Sequence, residues 1–284
     1  MQELRSTTSE DAQVRRERFA EDGYLLLRGL VDIECLEQLA VSVEPILRDL
    51  GLLTADDRAV DTFRATRGAY YRAVQRLEVF HALAHDPALQ RAVRALVGDD
   101  AFVHPQRLLR TLLPGVPELV TPPHQDFAYI GGAETTVTTW LPPRRCHVGE
   151  GGLGILVGSH KGGLLPMQAG DAVSVFRVEV AEDEPAWASA DFDQGDALIF
   201  HSKTVHSATP NTSDRIRLSA DYRHQSASEP ISARWLKPRG YPEVPDWPEL
   251  LADVSWDPER WFSIPAEIEI VGAAPRVAEA RPTR

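Results

Sequence analysis

Pro123-His124-Gln125-Asp126-Phe127, read with the later run Phe200-His201-Ser202-Lys203-Thr204-Val205-His206-Ser207, organises the whole chain. Side chains alternate along a strand, so an extended first segment projects His124 and Asp126 from one face. One imidazole and one carboxylate then point at a common spot. A second imidazole from a distant strand would complete a two-histidine, one-carboxylate face, leaving the other positions of an octahedral ion open for a cosubstrate and O2. That arrangement suits non-haem Fe(II). A His-x-Asp tripeptide alone is weak, because nine histidines will place one beside an acid by chance, and its plain alternative is a surface histidine.

The second run carries more weight. Gly195-Asp196-Ala197-Leu198-Ile199-Phe200 reads as an apolar strand delivering His206, with Asp196 serving the turn before it. Pro210-Asn211 marks a turn, and Arg215-Ile216-Arg217-Leu218-Ser219 is a further strand in which Arg217 and Ser219 share a face. A guanidinium fork beside a hydroxyl makes a good carboxylate clamp. His201 rivals His206 on the same segment, and Arg215 rivals Arg217 because a slip of two keeps the face.

Taken together these motifs resemble the phytanoyl-CoA dioxygenase-like (PhyH-like) Fe(II)/2-oxoglutarate oxygenases. The likeness runs from Phe19-Ala-Glu-Asp-Gly-Tyr-Leu-Leu-Leu-Arg-Gly-Leu30 through Arg223. It includes Thr138-Thr139-Trp140-Leu141-Pro142 and Gly151-Gly152-Leu153-Gly154-Ile155-Leu156-Val157-Gly158-Ser159-His160-Lys161, the latter similar to the family's strand and turn. The resemblance implies a mainly β fold with N-terminal helices, a double-stranded β-helix (jelly roll, cupin-like). It implies iron held by His124, Asp126 and His206, with His201 left nearby, and Arg217 paired with the distal carboxylate of 2-oxoglutarate, a contact Ser219 shares. Gln106 and Trp140 either line the cosubstrate pocket or are packed strand residues. Two departures, Pro123 before the first histidine and Ala208 two residues after His206, imply a clamp that differs in detail. Oxidative decarboxylation of 2-oxoglutarate with O2 is the implied chemistry, with hydroxylation as its default outcome. Asp126 speaks against halogenation, since related halogenases carry a small residue there.

Composition sets the remaining bounds. At 284 residues the chain is expected to form one oxygenase domain, with a helical part over about 1–100, a jelly-roll core over about 101–225 and a wrapping segment over about 226–284. A net charge of −12 and a pI near 5.2 argue against nucleic acid, which needs a basic stripe to neutralise phosphates. No stretch approaches the roughly 20 apolar residues of a membrane span, and the polar, acidic start is unlike a signal peptide. The expected location is the cytoplasm. Cys35 and Cys146 stand far apart and indicate neither a disulfide framework nor a zinc knuckle. The expected partner is a small-molecule substrate, and oligomeric state is not legible.

Along the chain, Asp11 to Asp22 reads as a helix ended by Gly23, and Tyr24 to Leu27 as a strand. Ile33 to about Leu50 is helical, with a kink or break expected at Pro45. The pattern loosens over 51–70, as a lid or a solvated loop, before Tyr71–Leu83 and Pro87–Val97 resume helical spacing. The tail beyond Pro230 is irregular, either covering the pocket or plugging the outer sheet surface with Trp235, Trp247, Trp256 and Trp261, and nothing after about Val271 looks ordered. The leading function is a dioxygenase acting on a small organic molecule. The alternative, a non-catalytic metal-binding jelly-roll protein, is opposed by the Arg217-x-Ser219 clamp.

Overall fold

A computed structural model describes residues 1–8, 11–169, 176–181, 184–240 and 242–272. Strand β1 (Gln2–Glu3) leads into helix α1 (Ala12–Asp22) and strand β2 (Tyr24–Leu27). Asp11 caps α1 by accepting from the amides of Gln13 and Val14, and Gly23 closes it at φ 79°. Helices α2 (Ile33–Asp49), α3 (Phe63–Val74), α4 (Glu78–Leu83) and α5 (Pro87–Val97) follow. Next come β3 (Ala101–Val103), β4 (Leu108–Leu112), the short helix α6 (Phe127–Ile130), β5 (Val137–Leu141) and β6 (Leu153–Leu156). The hairpin β7 (Met167–Ala169) and β8 (Phe176–Val178) precedes β9 (Trp187–Ser189), β10 (Ala197–His201), β11 (His206–Ala208) and the long β12 (Arg217–Ser226).

Two sheets carry the fold. The larger runs β2-β10-β5-β12, with β4 and β3 end to end along the far side of β12, and the smaller runs β1-β9-β6-β11. Alternation sorts the residues of the larger sheet by face. Leu25, Leu27, Leu109, Val137, Leu141, Ala197, Ile199, Ala220 and Tyr222 join the helices in the main core. Tyr24, Leu26, Trp140, Leu198 and Phe200 turn the other way, toward Leu153, Ile155 and Ala188 of the smaller sheet. The space between the sheets is therefore where β12, β4, β5, β6 and β11 all present side chains.

Three local expectations change. Helix α2 continues through Pro45. Its buried stripe, Leu36, Leu39, Ala40, Val43 and Leu47, gains about 2 kcal/mol per large side chain, which outweighs the ~3 kcal/mol that an interior proline costs. Helix α3 begins at Phe63, inside the stretch whose apolar pattern is loose, because only Phe63, Tyr70, Tyr71 and Val74 of it are buried. The tail tryptophans do not plug an outer sheet face: Trp247 and Trp256 pack with Phe262 around the buried His81 against the helical core, and Trp235 lies against Arg223. The expectation of disorder after Val271 falls almost wholly outside the described residues. No described helix is long and apolar enough to cross a membrane.

Candidate metal centre

Residue His206 opens β11, paired to Ile155 of β6, and on its other side forms a single antiparallel bridge to His124. The amide of each donates to the carbonyl of the other at 3.0 Å, bringing the two rings to 4.1 Å between centroids. Nδ1 of His124 donates to the Pro122 carbonyl (2.8 Å) and Nδ1 of His206 to the Thr204 carbonyl (3.0 Å). Both Nε2 lone pairs are thereby fixed toward Asp126 Oδ1, at 3.6 and 3.8 Å. The three side chains are buried, and one ligand atom from each lies within 4.8 Å of the others. Two imidazole nitrogens and one carboxylate oxygen are a donor set that suits a divalent ion, and the backbone bonds to Nδ1 supply the outer orientation that metal-bound histidines need.

Asp126 does not share a strand with His124. Its φ of −59° and ψ of −34° are helical, and it opens α6. The turn is set by Phe127 donating to the Ser202 carbonyl, and it still swings the carboxylate toward both imidazoles. Oδ2 is held away from them by Thr138 Oγ1 (2.7 Å) and Arg223 Nη2 (2.9 Å), so Oδ1 alone faces the site. Burial works against ionisation, but Arg223 and the two imidazoles hold the acid well below its usual range. Burial, with His124 adding to it, pulls His206 down to about 3. The donor set is thus one carboxylate and neutral imidazole, the charge state a divalent ion requires.

Arg217, Ser219, Asp221 and Arg223 occupy alternate positions of β12 and form one polar ribbon on the cavity face. Nε of Arg217 donates to the Gly151 carbonyl (2.7 Å) and Nη1 to Ser219 Oγ (2.9 Å), which in turn donates to Asp221 Oδ1 (2.9 Å). Asp221 Oδ2 takes Arg110 Nε from β4. The cavity is lined by Arg110, Thr121, His124, Trp140, Leu153, Phe200, His206, Ala208, Arg217, Asp221 and Arg223. Trp140 presents its ring 5.9 Å from the Arg217 guanidinium.

The structure therefore brings together His124, Asp126, His206, Arg217, Ser219 and Trp140. It does not bring Gln106 to this lining, because the amide of Gln106 donates to the carbonyls of Arg234 and Lys237 and tethers the tail. His201 turns away beside Phe19 and His160, its Nδ1 taking the Lys203 amide. Arg215 precedes β12 and pairs at the surface with Glu150. Sequence reasoning missed Arg110, Thr138, Asp221 and Arg223. The signal was present: polar residues at every second position continue from Arg217 to Arg223, and an arginine interrupts the apolar run Leu108–Leu112.

A sequence profile of the phytanoyl-CoA dioxygenase (PhyH) family matches residues 19–219. Among curated proteins, the 1-deoxypentalenic acid 11-beta-hydroxylases of Streptomyces exfoliatus and Streptomyces arenae are 28% and 29% identical, each covering 84% of this chain and 86% of its own. Similar solved structures include the non-haem monooxygenase ThoJ (TM-score 0.59, 21% identity, 76% of this chain and 79% of that one). EvdO2 from Micromonospora carbonacea var. aurantiaca also matches (TM-score 0.58, 18% identity, 86% and 100%). The epimerase SnoN, solved with Fe3+, α-ketoglutarate and nogalamycin RO, gives a TM-score of 0.56 at 22% identity over 78% and 85%. Fold and site define a non-haem iron, 2-oxoglutarate-dependent oxygenase of jelly-roll architecture. The chain belongs to the PhyH family.

Proposed function

We propose that this enzyme hydroxylates a small organic molecule of specialised metabolism at a C–H bond held over the face formed by His124, Asp126 and His206. In this proposal those three residues hold Fe(II), and Arg217 and Ser219 receive the distal carboxylate of 2-oxoglutarate against Trp140. The single observation that carries it is Arg217 itself. It is buried beside the metal face, hydrogen-bonded to a carbonyl and a hydroxyl, with no carboxylate in ion-pair range among the described residues. A buried guanidinium so placed is prepared for an anion. The named hydroxylases of Streptomyces, which act on 1-deoxypentalenic acid, support the choice of substrate class.

Bound Fe(II) supplies the activation of O2, coupled to conversion of 2-oxoglutarate to succinate and CO2. Everything else is positioning by this chain. The neutral His206 and the ionised Asp126 keep the site ready to bind a cation without first losing protons. Thr138 and Arg223 hold Asp126 to a single facing oxygen. Leu153, Phe200 and Trp140 close the cavity walls against water. Residence in the cytoplasm completes the proposal.

Succinate formation with Fe(II), 2-oxoglutarate and candidate substrates tests the activity. Metal saturation without succinate would favour the non-catalytic metal-binding alternative. His206→Ala should lose metal binding, whereas wild-type affinity in that variant would move the ligand to another residue such as His201. Arg217→Ala should weaken 2-oxoglutarate by on the order of 2 kcal/mol, about 30-fold, with little change in metal affinity. Arg215→Ala should leave both nearly as they are, and a swap between these two arginines would overturn the clamp.

A further inference from the structure

Arg217 belongs to two cavities. Besides the metal cavity it lines one of about 280 Å³, close to the roughly 300 Å³ at which small-molecule sites begin. Among the described residues, no other residue lines both. Helix α2 gives the second cavity Ala40, Glu44 and Leu47; the turn after it gives Leu53 and Asp57, and the chain entering β12 gives Ile216 and Leu218. Its walls are tied down. Arg48 of α2 donates to the Thr54 carbonyl and pairs with Glu44 and Asp57. The buried Asn211 donates to the carbonyls of Leu112 (3.0 Å) and Arg215 (2.8 Å).

In a chain of net charge −12, this lining is cationic, with Arg144, Arg145, Arg215 and Arg217 set against Glu44, Asp57 and Glu150. Arg144 pairs with Glu44, Arg145 with Asp193 and Arg215 with Glu150, all three guanidinium groups standing well exposed. Arg217 is the deep member of the four, and among the described residues no carboxylate pairs with it. Its Nε and Nη1 are taken by Gly151 and Ser219, while Nη2 has no hydrogen-bond partner among them. A free guanidinium corner beside the apolar surface of Ala40, Leu47, Leu53 and Ile216 suits a molecule with one carboxylate and an apolar body.

We propose that this second cavity binds a small amphipathic monocarboxylate, its apolar body against α2 and its carboxylate on Nη2 of Arg217, in opposition to 2-oxoglutarate. The opposition follows from the shared guanidinium: two carboxylates on one fork repel, so each weakens the other by the same factor. The proposal rests on the reading of Arg217 as the cosubstrate clamp and adds a regulator of that site.

Calorimetry on the full chain loaded with Mn(II) tests it, with hexanoate and hexanamide as probes. Hexanoate should bind about tenfold or more tighter than hexanamide, and at saturation should raise the dissociation constant of 2-oxoglutarate about tenfold. Ala40→Phe, which fills the cavity from α2, should abolish both effects and leave the affinity for 2-oxoglutarate alone unchanged. Leu53→Trp fills it from the half-buried turn and should do the same, so the test stands even where the thermal midpoint shows that the α2 variant does not fold. Absent hexanoate binding, equal binding of hexanamide, or bound hexanoate that leaves 2-oxoglutarate affinity unchanged overturns the proposal. So does competition that survives in a folded cavity-filling variant, which would put hexanoate in the metal cavity instead. The oxygenase reading fails separately: competition that the filled cavity abolishes, without succinate from any substrate, would remove the activity and leave the second site standing.

Discussion

Arg223 shows how much of a candidate metal site can rest on a residue outside the three that would hold the ion. Its Nη2 bonds the outward oxygen of Asp126, its guanidinium lies 5.3 Å from the Trp235 ring, and it is almost fully buried. Arg223→Gln should lower metal affinity by about 10- to 100-fold, since outer partners that orient a ligand are worth that much. It should also make metal binding fall off at higher pH than in the wild type, because Asp126 then keeps the burial that opposes ionisation and loses its main counter-charge. Metal titrations across a pH series read both effects; an unchanged affinity would leave Thr138 as the sole support of Asp126. The cluster of His124, Asp126 and His206 was legible because spacing and residue type coincide with a known pattern. Arg223 and Thr138 were not, since each acts through Asp126 and becomes visible only when strands β12 and β5 are laid side by side.

At the scale of elements, the turn into β6 supports the end of the cavity where Arg217 lies. Gly151 has φ +84°, and a Cβ there would come within 2.4 Å of the Leu112 side chain. Its carbonyl is the anchor of Arg217 Nε. Gly151→Ala should therefore destabilise the fold by about 1 kcal/mol or more and, by shifting that carbonyl, raise the dissociation constant of 2-oxoglutarate while metal affinity holds. Denaturant midpoints and cosubstrate titrations on the same preparation separate the two. The buried Gln75 donates through Nε2 to the Arg239 carbonyl (3.0 Å) and accepts from the Arg239 amide (2.6 Å). Gln75→Leu should cost about 1–3 kcal/mol, because it strands the Arg239 amide and carbonyl in a buried place; a denaturation curve unchanged from wild type would show the tail held by other means. Elements with self-contained signals, such as α1 with its Asp11 cap and Gly23 stop, were readable from sequence. The start of α3 was not, because so few of its side chains are buried, nor was the helical turn at Asp126, because the amide of Phe127 is held by the Ser202 carbonyl far along the chain.

Across the whole molecule, buried imidazoles set the response to acid. His104 is pushed down to about 3, His85 and His201 to about 4, and His81 and His224 well below their usual value, burial being the main cause in each. Their folded values lie below the unfolded value of about 6.5, so the unfolded chain binds more protons as pH falls. Stability should be complete above roughly pH 6.5 and decline steeply from there toward pH 4. A denaturant midpoint that stays flat down to pH 4.5 would contradict this burial pattern. The sequence marked His201 only as a rival of His206 and attached no motif to the other four, since nothing local marks a side chain that a distant helix and tail will cover. One consequence of the ribbon on β12 is hereditary. Arg217, Ser219, Asp221 and Arg223 alternate with Leu218, Ala220, Tyr222 and His224, so losing one codon inside the strand exchanges the two sets beyond that point. Past it, the clamp or the support of Asp126 then faces the helices, and Tyr222 or Leu218 faces the metal. Losing two adjacent codons restores the phase. Length variation in this strand should therefore be inherited in even steps among chains that keep the site.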